Sequence, residues 1–409
     1  MKIAAIISEY NPFTQGHAYH IAQTRSITNA DAVICIMSGN FVQRGEPAIY
    51  DKYFRTRLAL EGGADAVLEL PALFATQSAE LFAFGAVKIL NSLNCIDYLS
   101  FGAECDLSFL FKVGFMLADE PYSFKKELGK NLDNKEPFAT ARSNAIATYF
   151  NLSDEERIIL SLPNAILAIE YIKKLVQFES RIQPISIQRV GAGYNDKTEF
   201  TDYMSATAIR TAIKQNRFSS ISKNLPTKIA KMISQRALFA SDDNFFQLIK
   251  YAVMRSNSEE LSKISGITEG LENSFIANTY LDKFDDMLEN VHSKRFTRTA
   301  IRRMMYNILL GITKNDIEHC KKSQDCLYAR VLGFRQASSY VLKYISENSS
   351  IPVITNVPAY KKMLSDTTLF DFDILASDIY KLATGMPVCD SRPDFKLVPA
   401  ILGNDFPEL

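Results

Sequence analysis

Lys2-Ile3-Ala4-Ala5-Ile6-Ile7-Ser8-Glu9-Tyr10-Asn11-Pro12-Phe13-Thr14-Gln15-Gly16-His17-Ala18-Tyr19-His20 runs from an apolar stretch through a turn into a helical pattern. An uninterrupted apolar run of this length reads as a strand buried on both faces. Pro12 stiffens the turn, and Gly16 lets a bulky group approach the backbone where the helix begins. The same unit recurs downstream. Ala32 to Met37 is a second apolar run, with a loop at Ser38-Gly39-Asn40, and Asp51 to Glu61 is a helix stopped by Gly62-Gly63. Ala66 to Leu70 is a third strand, ended by Pro71, and Ser78 to Leu90 a helix. Tyr98 to Phe101 is a fourth strand ending at Gly102; a helix from about Asn164 to Val176 and a strand from Pro184 to Arg189 follow.

Apolar strands alternating with helices predict a parallel sheet covered on both faces, hence an α/β, Rossmann-like domain over residues 1–220. Beyond it, Leu248, Ile249, Ala252 and Val253, and again Ile301, Met304, Met305 and Ile308, fall at helical spacing. Residues 221–409 therefore read as a mainly helical C-terminal domain, with Ile351 to Ile354 as a possible strand.

Composition narrows the function classes. The 409 residues are 47% hydrophobic and 22% charged, and 46 Lys+Arg balance 46 Asp+Glu. A zero net charge excludes a wholesale polyanion coat but permits a local basic patch. The six cysteines form no CxxC pair and the four histidines no HExxH, so no metal-binding pattern is expected. No stretch reaches the roughly 18 apolar residues of a membrane span. The run Ile3 to Ile7 is too short for the core of a signal peptide. A soluble, cytoplasmic protein with reduced cysteines is expected.

The first turn carries chemistry. Ligands of parallel sheets bind beyond the carboxyl ends of strands, where helix N-termini aim unpaired N–H groups. His17 sits in the first helical turn, and His20 follows on the same face. Two imidazoles at that position suit charge developing at a phosphate; alternatively, they cap and pack the turn. A second element, Met204-Ser205-Ala206-Thr207-Ala208-Ile209-Arg210, places hydroxyls and a guanidinium at the start of a later helix. There the plainer alternative is that Ser205 only caps the helix and Arg210 is solvated.

Thr14-Gln15-Gly16-His17 resembles the (H/T)xGH motif of the nucleotidylyltransferase superfamily, and Met204 to Arg210 resembles its ISSTxIR motif. Further blocks widen the likeness: Ser38 to Ile49 with Asp51-Lys52, Gly63-Ala64-Asp65, Glu69-Leu70-Pro71, Gln77 to Glu80, Phe101 to Glu104, Arg189 to Tyr194 and Arg330 to Phe334. Together they resemble the tRNA(Met) cytidine acetate ligase family over nearly the whole chain. That resemblance implies an enzyme that forms acetyl-adenylate from acetate and ATP. It then acetylates N4 of the wobble cytidine of elongator tRNA(Met), giving N4-acetylcytidine.

The resemblance implies that Ile7 to His20 cradle ATP, with His17 and His20 catalytic. Gly102, Asn164, Arg189 and Val190 would complete the nucleotide site, and Ser205, Thr207 and Arg210 would hold the leaving pyrophosphate. Where the family has a paired-Asn stretch, this chain has Pro163-Asn164-Ala165-Ile166-Leu167-Ala168. Mg²⁺ would arrive with the ATP. Ser38, Gly39 and Asn40 are expected at the acetate, and Arg44 and Lys52 at phosphate or RNA, unless these are ordinary loop and surface residues. Asp65, Glu69 and Glu80 read as structural or solvated.

The stretch from Ser293 to Arg303 carries five cations and no carboxylate. Lys294, Arg295, Arg298 and Arg302 make a helical stripe suited to a tRNA backbone. Alternatively, the stripe is a solvated face paired with Asp282, Asp285, Asp286 and Glu289. The residues alone also leave open an adenylyltransferase or acetate ligase acting on a small metabolite or a protein thiol, and a non-catalytic RNA-binding protein.

Overall fold

The computed structural model describes residues 1–188, 204–268, 270–291, 296–385 and 392–403. Its strands in chain order are β1 (Ile3–Ser8), β2 (Ala32–Ser38), β3 (Phe41–Val42), β4 (Glu46–Pro47), β5 (Ala66–Leu70), β6 (Tyr98–Ala103), β7 (Gln183–Gln188), β8 (Ala329–Arg335), β9 (Val353–Ile354) and β10 (Ala400–Leu402). The main sheet runs β10-β8-β5-β2-β1-β6-β7, with β9 beside β8. β1 lies in parallel between β2 and β6, and β2 and β6 pair in parallel with β5 and β7. The chain therefore leaves β1 toward one edge and returns to its other side. That is a switch point, where the loops after neighbouring strands part and leave a crevice.

Every residue of β2 and β5 is buried, as continuous apolar strands between two helical layers must be. The helix α1 (Gln15–Thr28) follows β1, and α2 (Lys52–Glu61) follows the β3–β4 hairpin.

The sheet crosses the division drawn at residue 220. β8 pairs antiparallel with β5, through Ala66↔Phe334 and Val67↔Gly333, and β9 and β10 run parallel to β8. Only glycine fits at position 333, because a Cβ there would stand 2.7 Å from the Ala400 carbonyl and from Thr56. A strand with Arg330 near its start and Gly333 within it carries too weak an apolar signal to be read locally. The remainder of the later segment is helical, and two hydrophobic clusters each draw on both parts of the chain. Phe41 of the hairpin is fully buried among Phe245, Tyr306 and Tyr380, with ring centroids 5.5–6.2 Å away. That aromatic cluster clamps the hairpin to the Arg298–Leu310 helix and brings this helix beside the switch point.

Candidate active site

Thr14 caps α1. Its side chain accepts from the His17 N–H, and its own N–H donates 3.0 Å to His17 Nδ1, closing a reciprocal capping box. With Nδ1 accepting, the proton of a neutral imidazole belongs on Nε2, which is then a donor. Tyr10 and Phe13 flank the ring edge-on, with centroids 5.0 and 5.5 Å away. His20 takes another role: its Nε2 lies 2.9 Å from Ser100 Oγ, which in turn contacts Thr24 Oγ1 at 2.7 Å. His20 is thus tied to β6, while His17 is oriented by the backbone of its own turn.

Both imidazoles line a cavity of about 810 Å³ at the switch point. From the first turn Ile7, Ser8, Glu9, Tyr10, Asn11, Thr14, Gly16 and Tyr19 also reach it; Pro12, Phe13, Gln15 and Ala18 do not. Phe13 instead is fully buried against Gly62, where a Cβ would come within 2.1 Å of the ring. Gly102 and Asn164 form another wall, and Asn164 donates to Glu104. Ala165 and Ala168, the departures from the family pattern, are fully buried on the inner face of the Pro163–Gln177 helix. Arg189 and Val190 lie outside the described residues.

Ser205, Thr207 and Arg210 line the same cavity. Ser205 caps the Ala206–Lys214 helix by accepting from the Ala208 N–H at 3.2 Å. Arg210 donates 2.8 Å to the Asn11 carbonyl, 199 positions away in sequence, and pairs with Glu46 at 2.9 Å. This contact places the late helix start at one end of the first turn. Glu9 is half-buried beside it: loss of solvent pushes its carboxyl up, while the Gln43 N–H at 2.8 Å pulls the other way. Fully buried Arg55 ties the loops together by donating to the carbonyls of Tyr50, Glu9, Ser38 and Gly39. Burial lowers its pKa to about 10.

Four expected substrate residues are elsewhere. Ser38, Asn40 and Lys52 are buried, and none of them nor Gly39 lines the cavity. Lys52 Nζ donates to Glu69 at 2.6 and 2.9 Å and to Asp394 at 3.1 Å. Asn40 accepts from the Lys52 N–H and contacts Ser377, and a Cβ on Gly39 would lie 2.7 Å from Glu69. The physical reason is cover: β8 and the Pro393–Lys396 helix close over this loop. Arg44 and Gln43 do face the cavity.

The cationic stripe is also corrected. Arg302 turns inward, donating to the Gly45 carbonyl at 3.1 Å and pairing with Asp242 at 2.7 Å, and so is not available to a tRNA backbone. Arg298 is exposed and paired with Asp285 and Glu289, and Lys294 and Arg295 lie outside the described residues. Sequence reasoning passed over Thr299, Arg303, Tyr171 and Phe82, all of which line the cavity. The only signal for Arg303 was its place in the cationic stretch. Among the described residues no cluster of three or more His, Cys, Asp or Glu is placed to hold a metal ion, and no helix is long and apolar enough to cross a membrane.

Residues 1–392 match the model of the HIGH Nucleotidyl Transferase family. The tRNA(Met) cytidine acetate ligase of Clostridium perfringens is 39% identical over 410 residues, covering 98% of this chain and 100% of the relative. That of a Thermoanaerobacter species is 40% identical over 390 residues, covering 94% and 96%. The apo crystal structure of Thermotoga maritima TmcAL superposes with a TM-score of 0.91 at 32% identity, covering 99% of this chain and 100% of that one. The same protein bound with α-thio ATP gives 0.90 at 33% identity, with the same coverage.

Proposed function

Because the chain belongs to the HIGH nucleotidyl transferase family and, within it, to the tRNA(Met) cytidine acetate ligases, we propose that it uses ATP to attach acetate to a tRNA cytidine. The observation that carries this reading is the single cavity that joins the α1 start, with His17, to the late helix start, with Arg210.

In the first step an acetate oxygen attacks the α-phosphorus of ATP. The bond from that phosphorus to the bridging oxygen breaks, and pyrophosphate leaves in line with the electron pair. Positioning and charge stabilisation do most of the work. The adenosine lies toward Gly102 and Asn164, with Arg189 and Val190 beside it. The α-phosphate meets the N-terminal N–H groups of α1 and the Nε2–H of His17. His20 assists by fixing α1 to β6, and Ser205, Thr207 and Arg210 face the leaving group. Mg²⁺, arriving with the ATP rather than on a carboxylate cluster of the described residues, would offset the charge of the triphosphate.

In the second step the N4 amine of the wobble cytidine of elongator tRNA(Met) attacks the acetyl carbonyl. The carbonyl–phosphate bond breaks, AMP departs and the nitrogen loses a proton. The step requires that water be kept from the mixed anhydride while the cytidine is bound. Lys294, Arg295 and Arg298 contact the tRNA backbone, without Arg302. The protein works in the cytoplasm, where the tRNA pool is.

Mass spectrometry of elongator tRNA(Met) nucleosides, after incubation with protein, ATP and acetate, tests the proposal. N4-acetylcytidine is expected with the native protein and not with His17→Ala. Labelled acetate ending on protein or a small metabolite, with the tRNA unmodified, would refute it.

A further inference from the structure

Three arginines line the cavity, Arg44, Arg210 and Arg303, and they differ in one respect. Arg210 is held by Glu46 and the Asn11 carbonyl, while Arg302 and Arg55, behind the lining, are held by Asp242 and Glu46 and by backbone carbonyls. Neither Arg44 nor Arg303 makes a hydrogen bond or ion pair among the described residues, and Arg44 feels the Glu9 carboxylate only through space. They come from distant parts of the chain, Arg44 from the exposed tip of the β3–β4 hairpin and Arg303 from the partly buried side of the Arg298–Leu310 helix.

Their placement is tightly built. A Cβ on Gly45 would lie 2.4 Å from the Arg303 backbone nitrogen, so the hairpin tip rests directly on that helix; Gly45 itself has φ +68°. Glu46, one residue on, bridges Arg210 and Arg302 at 2.9 and 3.6 Å. Arg44 and Arg303 therefore flank the Gly45–Glu46 turn that holds Arg210 of the Ala206–Lys214 helix. Burial pulls Arg303 down to about 10, with no carboxylate to offset it, and at neutral pH it remains a guanidinium. A partly desolvated cation without a counter-ion is costly, and an anionic ligand removes that cost.

We infer that Arg303 and Arg44, together with Arg210, clamp the β- and γ-phosphates of ATP and the pyrophosphate they become. The inference rests on the ATP reading of the cavity and adds an element from the helical segment to the adenylation step. Two guanidinium forks match a group with several anionic oxygens better than a single carboxylate. Their link to Arg210 through Gly45 and Glu46 matches the leaving group. The clamp also makes adenylation depend on the hairpin and the Arg298–Leu310 helix being docked together.

Acetate-dependent ATP–pyrophosphate exchange without tRNA reads this step alone. Arg303→Gln and Arg44→Gln are each expected to raise the KM for pyrophosphate about 10- to 100-fold, the scale of losing a hydrogen bond to a charged group. Arg303→Lys should recover part of the loss, and tRNA binding measured on filters should stay within about threefold. Arg44, being exposed, tests the clamp without disturbing packing. An unchanged pyrophosphate KM in either glutamine variant overturns the inference, as does a defect confined to acetate KM or to tRNA affinity, which would assign these residues to the acid or to RNA phosphate. Absence of exchange in the native protein would instead sink the proposed function.

Discussion

Two groups of charged side chains lie near the carboxyl ends of adjacent strands, one open and one closed. Beyond β1 the cations Arg44 and Arg303 line the cavity, together with the imidazole of His17. Beyond β2 and β5, Lys52, Glu69, Arg330 and Asp394 are 0–4% exposed and neutralise one another at 2.6–3.2 Å. Burial works against ionisation of Asp394, but Arg330 and Lys52 outweigh it and hold the carboxyl well below its usual range. Two cations and two carboxylates at contact distance satisfy themselves, whereas a desolvated cation without a partner calls for an anion from outside. Residue type does not separate the two regions; a carboxylate at contact distance does, which Arg210 finds in Glu46 and Arg44 and Arg303 do not.

Removing Lys52 gives the largest expected effect. Lys52→Met leaves one carboxylate uncompensated in the closed cluster and should destabilise the fold by about 3–5 kcal/mol, read from the urea midpoint. Lys52→Met with Glu69→Gln restores neutrality and should be less damaging than the single change. If Lys52→Met is neutral for stability yet abolishes exchange, the two regions are not distinct.

His17→Ala tests the open side. Loss of a donor at the α-phosphate should lower the exchange rate on the order of 10²–10³-fold. Loss of the capping box should lower stability by only about 1 kcal/mol. A stability loss without an exchange defect would make His17 a cap and nothing more.

Asp373 sharpens the closed side further. It accepts from the Ala72 N–H at 2.6 Å and from the Tyr328 hydroxyl, and burial, with Glu69 nearby, pushes it up to about 7. The folded protein then keeps a proton that the unfolded chain loses near pH 4. Stability from this group should be full below about pH 4, fall as pH rises toward 7 and level off above it. Asp373→Asn should flatten that slope in urea midpoints measured across the window.

The smallest effect belongs to Arg298. Its pairs with Asp285 and Glu289 are exposed, so Arg298→Ala should change stability by less than about 1 kcal/mol. Arg298→Glu should reduce the salt slope of tRNA binding by about one. An unchanged slope would remove Arg298 from the tRNA surface.

The apolar runs of β1, β2, β5 and β6 were legible because strand burial on two faces writes itself into consecutive residues. The spacing of Thr14, His17 and His20 was legible for the same reason, since the turn is local. What distinguished the two histidines was not: Ser100, the partner of His20, lies 80 positions away. Nor was the burial of Lys52, whose partner Asp394 is 342 positions distant. A Gly-Asn loop followed by lysine reads as a ligand site until a remote helix covers it. Arg302 and Arg303 are neighbours in one helix, yet one is neutralised by Asp242 and the other faces the cavity.

The order of residues alone determined the alternation of strands and helices, the turn at the first helix and the chemistry its imidazoles can perform, because each depends on neighbours within a few positions. Tertiary structure alone decided which cations keep an internal carboxylate and which are left facing the cavity. Pairing of charge is a matter of distance in space, and the chain closes those distances only when β8 and the later helices dock against the sheet.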